Sequence, residues 1–138
     1  MKSERTVPTV TPTLAPHFEA AREGKLAIQT CTSCGGHWFP PMSNCPTCLK
    51  TDTVTWVETS GEATLWSWVV MHQPYFKAFK DETPYPVAFV KLKEGPILIS
   101  AIDGVEASEY TFDMPLTVGF EPMGADDLPM PVFRPAAA

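Results

Sequence analysis

Long apolar runs, catalytic signature loops and clustered basic side chains are all missing from this sequence, and each absence removes a class of function. No stretch approaches the roughly 18 apolar residues of a membrane span, and the opening MKSERTVPTVTPTL has no apolar centre of the kind a signal peptide carries, so a cytoplasmic protein is expected. There is no Walker phosphate loop, no G-x-G-x-x-G, no G-x-S-x-G and no H-E-x-x-H. The three histidines, His17, His37 and His72, sit in unrelated contexts and read as surface or packing residues rather than general bases. Basic charge is also scarce where a nucleic-acid surface would need it. Residues 1–50 carry five basic and three acidic side chains, whereas residues 51–138 carry five basic and thirteen acidic ones. Phosphate binding depends on clustered Lys and Arg, so no nucleic-acid partner is expected.

What is present in excess is proline, 15 residues in 138 against an average usage of roughly 5%, which favours short strands and loops over long helices. All four cysteines fall within eighteen residues, CTSCGGHWFPPMSNCPTC, as two Cys-x-x-Cys pairs ten residues apart. Cys31, Cys34, Cys45 and Cys48 thus offer four thiolates on two tight turns, the arrangement of a zinc ribbon; iron in a rubredoxin-like site is the lesser alternative, and two disulfides or buried thiols are the bland ones. Gly35 supplies a position tolerant of positive φ behind the first pair, and Pro46 stiffens the second. A four-sulfur site has no open coordination position, so the metal reads as structural. It also consumes every thiol in the chain. No cysteine remains for covalent acyl transfer, and the chain is not expected to be an enzyme by itself.

Three regions follow in order. Residues 1–25 read as an extended arm and a short helix from about Pro16 to Glu23, ended by Gly24 and docked through Phe18 and Ala21. Residues 26–53 form the ribbon, with Trp38 and Phe39 as its apolar floor. Residues 54–138 alternate strand candidates with turn residues and read as a small β-barrel or sandwich, with a hairpin turn at Lys93 to Pro96. Period-two alternation in EATLWSWVVM places Leu65, Val69 and Met71 on one face and Trp66, Trp68 and Val70 on the other. The long connection HQPYFKAFKDETPYP carries Tyr75, Phe76, Lys77, Phe79, Lys80 and Tyr85, and is read either as a loop folded onto the barrel or as a ligand- or partner-binding segment. Asp126 and Asp127 read as a solvated turn.

The order of these features resembles a known family over roughly residues 16–135. F-E-A-A-R-E-G-K-L, the C-x-x-C…P-P…C-P-x-C ribbon, S-G-x-A-T-L, P-Y-P-V-A-F-V-K-L with E-G-P, D-M-P-L-T-V-G-F-E and L-P-M-P-V-F-R-P look like the zinc-ribbon plus OB-fold proteins long catalogued as a domain of unknown function and described as acyl-CoA-associated. The resemblance implies a mainly β chain, with an N-terminal helix, a rubredoxin-like ribbon and an OB-fold barrel. It further implies an accessory subunit beside thiolase-superfamily enzymes: sterol-carrier-type thiolases, retro-aldolases of CoA-linked steroid side chains, condensing enzymes or hot-dog-fold hydratases. A hetero-oligomer that meets acyl-CoA through its partner is therefore the expected function. The alternatives are a stand-alone acyl-CoA-binding or CoA-channelling protein and, below it, a single-stranded nucleic-acid-binding OB protein.

Overall fold

The structure, a computed structural model, describes residues 5–137. Its first element is α1 (Ala15–Arg22), with proline in the first turn and no side-chain cap at Leu14. Gly24, at φ +77°, ends it by donating its amide to Ala21 O at 3.0 Å. Eight residues are too few to hold a helix in water. Stability comes instead from a buried stripe of His17, Phe18 and Ala21, packed against the chain's own strands β1 and β8 defined below. The stripe expected from Phe18 and Ala21 is there, and His17 joins it.

The ribbon sheet has the order β2-β1-β3, with β1 (Ala27–Cys31) between β2 (His37–Trp38) and β3 (Val54–Glu58), all antiparallel. β3 pairs with β1 along its full length, from Ala27 opposite Glu58 to Cys31 opposite Val54. β3, which opens the region 54–138, is therefore hydrogen-bonded into the ribbon sheet.

The second sheet is built from β4 (Glu62–Met71), β5 (Tyr85–Leu92), β6 (Ile97–Ser100), β7 (Pro115–Met123) and β8 (Leu128–Pro135), in the order β6-β5-β4-β7-β8. Just beyond β6, Ile102 forms a parallel bridge with Phe133 of β8, where Asp103 N donates to Phe133 O at 2.8 Å and Phe133 N to Ala101 O at 2.9 Å. The two edges of the sheet thus meet, giving the curled, partly open barrel of an OB-fold. The β5–β6 hairpin turns at the expected place, with Gly95 at φ +117°.

One core serves the barrel and the root of the ribbon together. Leu65, Val90, Leu98, Leu116 and Phe133 are all 2% exposed or less, and Leu26 and Ile28, at the start of the ribbon sheet, are buried in the same cluster. Each such side chain contributes about 1.5–3 kcal/mol through burial.

Strict alternation fails in β4. The register with β5 shifts between Leu65 and Ser67, so Trp66 is an extra, bulged residue. Leu65 opposes the buried Val90 and Trp68 opposes the buried Ala88, which brings Trp68 to the same side as Leu65 instead of the opposite one. Trp66 and Val69 are left exposed at 51% and 47%.

Candidate metal centre and exposed aromatic surface

The two knuckles repeat one backbone design. In the first, Gly35 N donates to Cys31 O at 2.9 Å and Cys31 N to Gly36 O at 3.0 Å; in the second, Leu49 N donates to Cys45 O and Cys45 N to Lys50 O, both at 2.9 Å. Each also aims an amide at its leading sulfur, from Cys34 to Cys31 Sγ and from Cys48 to Cys45 Sγ, at 3.5 Å. The turn needs a positive φ four residues after that sulfur. Gly35 meets it at +74°, as its sequence position implies, but Leu49 occupies the equivalent place at +64°.

All four sulfurs lie within 4.8 Å of one another, with Cys31 to Cys48 and Cys34 to Cys45 both at 3.6 Å. Tetrahedral coordination at about 2.3 Å places sulfurs about 3.8 Å apart, so the set fits a metal of that kind. Its electrostatics fit as well. A Thr53 hydroxyl 3.1 Å from Cys31 Sγ, helped by the Cys34 amide, holds the Cys31 thiol down to about 6. The Cys48 amide lowers Cys45. At Cys34 the Gly36 amide acts downward, but the neighbouring Cys45 thiol and burial push the net value up to about 11. Four sulfurs this close cannot all ionise without a cation among them. Thr53 was invisible as a site residue, since a lone threonine before a strand carries no sequence signal.

Trp38 is the floor beneath these sulfurs, 7% exposed and clustered with Cys31, Cys45, Cys48 and Val54. Its indole N–H donates to Gln29 Oε1 at 2.7 Å, and that oxygen also accepts the Met42 amide at 2.6 Å. Phe39, expected beside it, packs instead on the barrel core and on His17, ring centroids 5.2 Å apart. His17 Nδ1–H donates to Ala27 O at 3.1 Å, and burial lowers its pKa from the ordinary 6.5.

The connection between β4 and β5 divides into two halves. Tyr75 and Phe76 are 67% and 66% exposed, and the exposed Lys77 opens a 3-10 turn, Lys77–Phe79. Phe79 and Tyr85, by contrast, stack at 4.9 Å and 28°. The six residues singled out from sequence are therefore not one surface. A second exposed aromatic region lies on the outward side of β4: Trp66 meets Phe89 edge-on at 6.5 Å, and Ile99, opposite Phe89 in register, is 70% exposed. Phe112, 70% exposed, has its ring centroid 5.0 Å from that of Trp68, which also meets Tyr110 at 90°. Burial, then Glu106 and Asp103, raise the Tyr110 phenol. The bulge sets the facing of Trp66 and Trp68, and nothing in the period of the strand reveals it.

Comparison with known proteins agrees with both halves of this architecture. Residues 18–54 match the family described as "ChsH2, rubredoxin-like zinc ribbon domain", and residues 56–121 match "ChsH2, C-terminal OB-fold domain". The solved structure titled "Ltp2-ChsH2(DUF35) aldolase" contains a chain 34% identical to this one, superposing with a TM-score of 0.79 over 95% of this chain and 100% of that one. The chain belongs to the ChsH2-type DUF35 family. A "Probable enoyl-CoA hydratase alpha subunit" of Thermomonospora curvata is 38% identical over 98% of this chain, which spans only 41% of that protein's length. A "DUF35 domain-containing scaffold protein" of Methanothermobacter thermautotrophicus is 36% identical over 56% of this chain and 57% of its own. The four cysteines lie inside the stretch that matches the family's zinc ribbon, clustered closely enough to hold a metal ion. Among the described residues no helix is long and apolar enough to cross a membrane.

Proposed function

We propose that this chain is a non-catalytic scaffold subunit of an acyl-CoA-processing complex, pairing with a thiolase-like, sterol-carrier-type aldolase or thiolase in the breakdown of steroid side chains or related CoA esters. The observation that carries this reading is the match along the whole of a chain from an Ltp2-ChsH2(DUF35) aldolase structure. The partner would supply the acid, base and nucleophile. This chain would cover apolar surface on it through Trp66, Phe89 and Ile99 and shape the substrate entrance with the 72–86 connection. There Tyr75 and Phe76 offer aromatic area and Lys77 and Lys80 attract the phosphates of CoA, while Phe79 and Tyr85 hold the connection's shape. Zinc in the four-sulfur site would supply a cross-link and no reacting position; iron suits the same sulfurs and metal analysis separates them.

Co-expression with a thiolase-superfamily aldolase of the same genome tests the reading. Stoichiometric co-elution, with aldolase activity that depends on this chain, is expected. A stable monomer beside an aldolase that is fully soluble and active alone would refute it.

The Thermomonospora relative favours a second reading, in which the partner is an enoyl-CoA hydratase subunit; the same co-elution performed with a hydratase decides. Tight acyl-CoA binding by the isolated chain in calorimetry would favour the stand-alone carrier instead.

A further inference from the structure

We propose that residues Arg5 to Pro8 form a strap that fixes the second half of the 72–86 connection against the barrel. Among the described residues the connection has little else to hold it before β5 begins at Tyr85. Ahead of Tyr85 its backbone hydrogen bonds, Phe79 to Phe76, Lys80 to Lys77 and Glu82 to Phe79, close within the segment, and the Thr83 hydroxyl likewise donates inside it, to Lys80 O. Nothing in that set ties the connection to a strand. A connection of this length, left to its own local turns, samples many conformations.

The arm supplies non-local contacts. Arg5 Nη2 donates to Glu82 Oε2, an ion pair between residues 77 apart in the chain. The same guanidinium lies 4.5 Å above the centroid of Phe79, whose ring also stacks on Tyr85 at the start of β5. Arg5 thus grips the connection by charge at Glu82 and by its ring at Phe79, and that ring leans on the sheet. The Arg5 side chain is only 17% exposed, so both interactions act with reduced screening by water.

A strap needs a second anchor, and Val7 provides it. In the β7–β8 turn, Gly124 has φ +75°, and a Cβ there would stand 2.9 Å from Val7 Cγ1. The absent side chain is what admits Val7. One residue further, Pro8 is exposed and lines the rim of an apolar groove together with His17, Phe39, Ile99 and Met130. The arm is therefore held at two points: at Val7 by the β7–β8 turn, and at Arg5 by the connection. The strap stands whether or not the connection touches a partner.

Hydrogen exchange read by mass spectrometry over residues 77–85 tests the strap in the full chain. Arg5→Gln removes the charge and the ring contact together, and Glu82→Gln removes the ion pair while leaving Arg5 in place. Exchange over 77–85 should quicken about fivefold in Arg5→Gln and about two- to threefold in Glu82→Gln. Arg22→Gln, at the exposed end of α1, should change nothing there. Unaltered exchange in both variants would overturn the strap. So would a loss of protection that spreads equally through β4 and β5, because the arm would then be supporting the barrel rather than the connection.

Discussion

The knuckle end of the ribbon and the barrel are held by different forces. Around the sulfurs the buried cluster consists of Cys31, Trp38 and Cys45, with Cys48 and Val54 at its edge. The barrel cluster has twelve buried members and runs from Leu26 in the root of the ribbon to Phe133 in β8. Three buried side chains cannot offset the ordering entropy of a twenty-residue loop pair, at about 1–2 kcal/mol per residue for the backbone alone. The knuckles need the metal; the barrel does not. The boundary between the two regimes falls inside β1, between Ile28 in the barrel cluster and Cys31 in the sulfur cluster. β1 is thus the rod through which a metal-clamped tip is mounted on a core-stabilised body.

The sharpest way to break that division is Cys45→Ser. It removes one of four ligands whose metal contributes on the order of 10 kcal/mol of apparent binding free energy in small modules. Metal content should fall to near zero and the knuckles should lose order, while the barrel still melts cooperatively. Phe133→Ala attacks the other side, emptying a fully buried site that also carries the bridge to residues 101–103. A loss of about 3–5 kcal/mol in urea unfolding is expected, with metal still bound in the folded fraction.

Acid probes the joint between the regions. Burial lowers His17 below its ordinary 6.5 in the folded chain. As pH falls below that value the unfolded chain takes up the proton first. Stability should decline, by at most about 1.4 kcal/mol per pH unit, until the lowered folded-state value is passed. His17→Asn keeps a donor near Ala27 O and should remove that part of the pH dependence in denaturant titrations between pH 6.5 and 5. The smallest effect is expected at Leu49. An exposed leucine at φ +64° carries a conformational cost of about 1 kcal/mol that asparagine largely avoids. Leu49→Asn should therefore raise the ribbon's stability by a few tenths to 1 kcal/mol, read as resistance to chelator.

Covalent and local chemistry was the legible part of the sequence. Cysteine spacing located the cluster of four sulfurs, Pro16 and Gly24 framed the helix, and Lys93 to Pro96 marked a hairpin, because each depends on a few adjacent residues. Features set by tertiary pairing were not legible. The bulge at Trp66 moves Trp68 to the core side and leaves Trp66 exposed, and only the register with β5 reveals it. Thr53 reaches Cys31 because β3 pairs with β1. The 72–86 connection was read as one segment, yet Phe79 and Tyr85 stack while Tyr75 and Phe76 stay open, a split that owes its second half to Arg5. Family membership was carried by motifs spread over the chain, and the whole-chain match to a ChsH2-type structure agrees with it.

Hydrogen exchange before and after chelation, resolved by region, tests the division between tip and body most directly. Protection should vanish across residues 31–50 when the metal is withdrawn. The amides of β4, β5, β7 and β8, and those of Leu26 and Ile28, should keep theirs. Uniform loss of protection throughout the chain, or knuckles that stay protected with no metal bound, would contradict it.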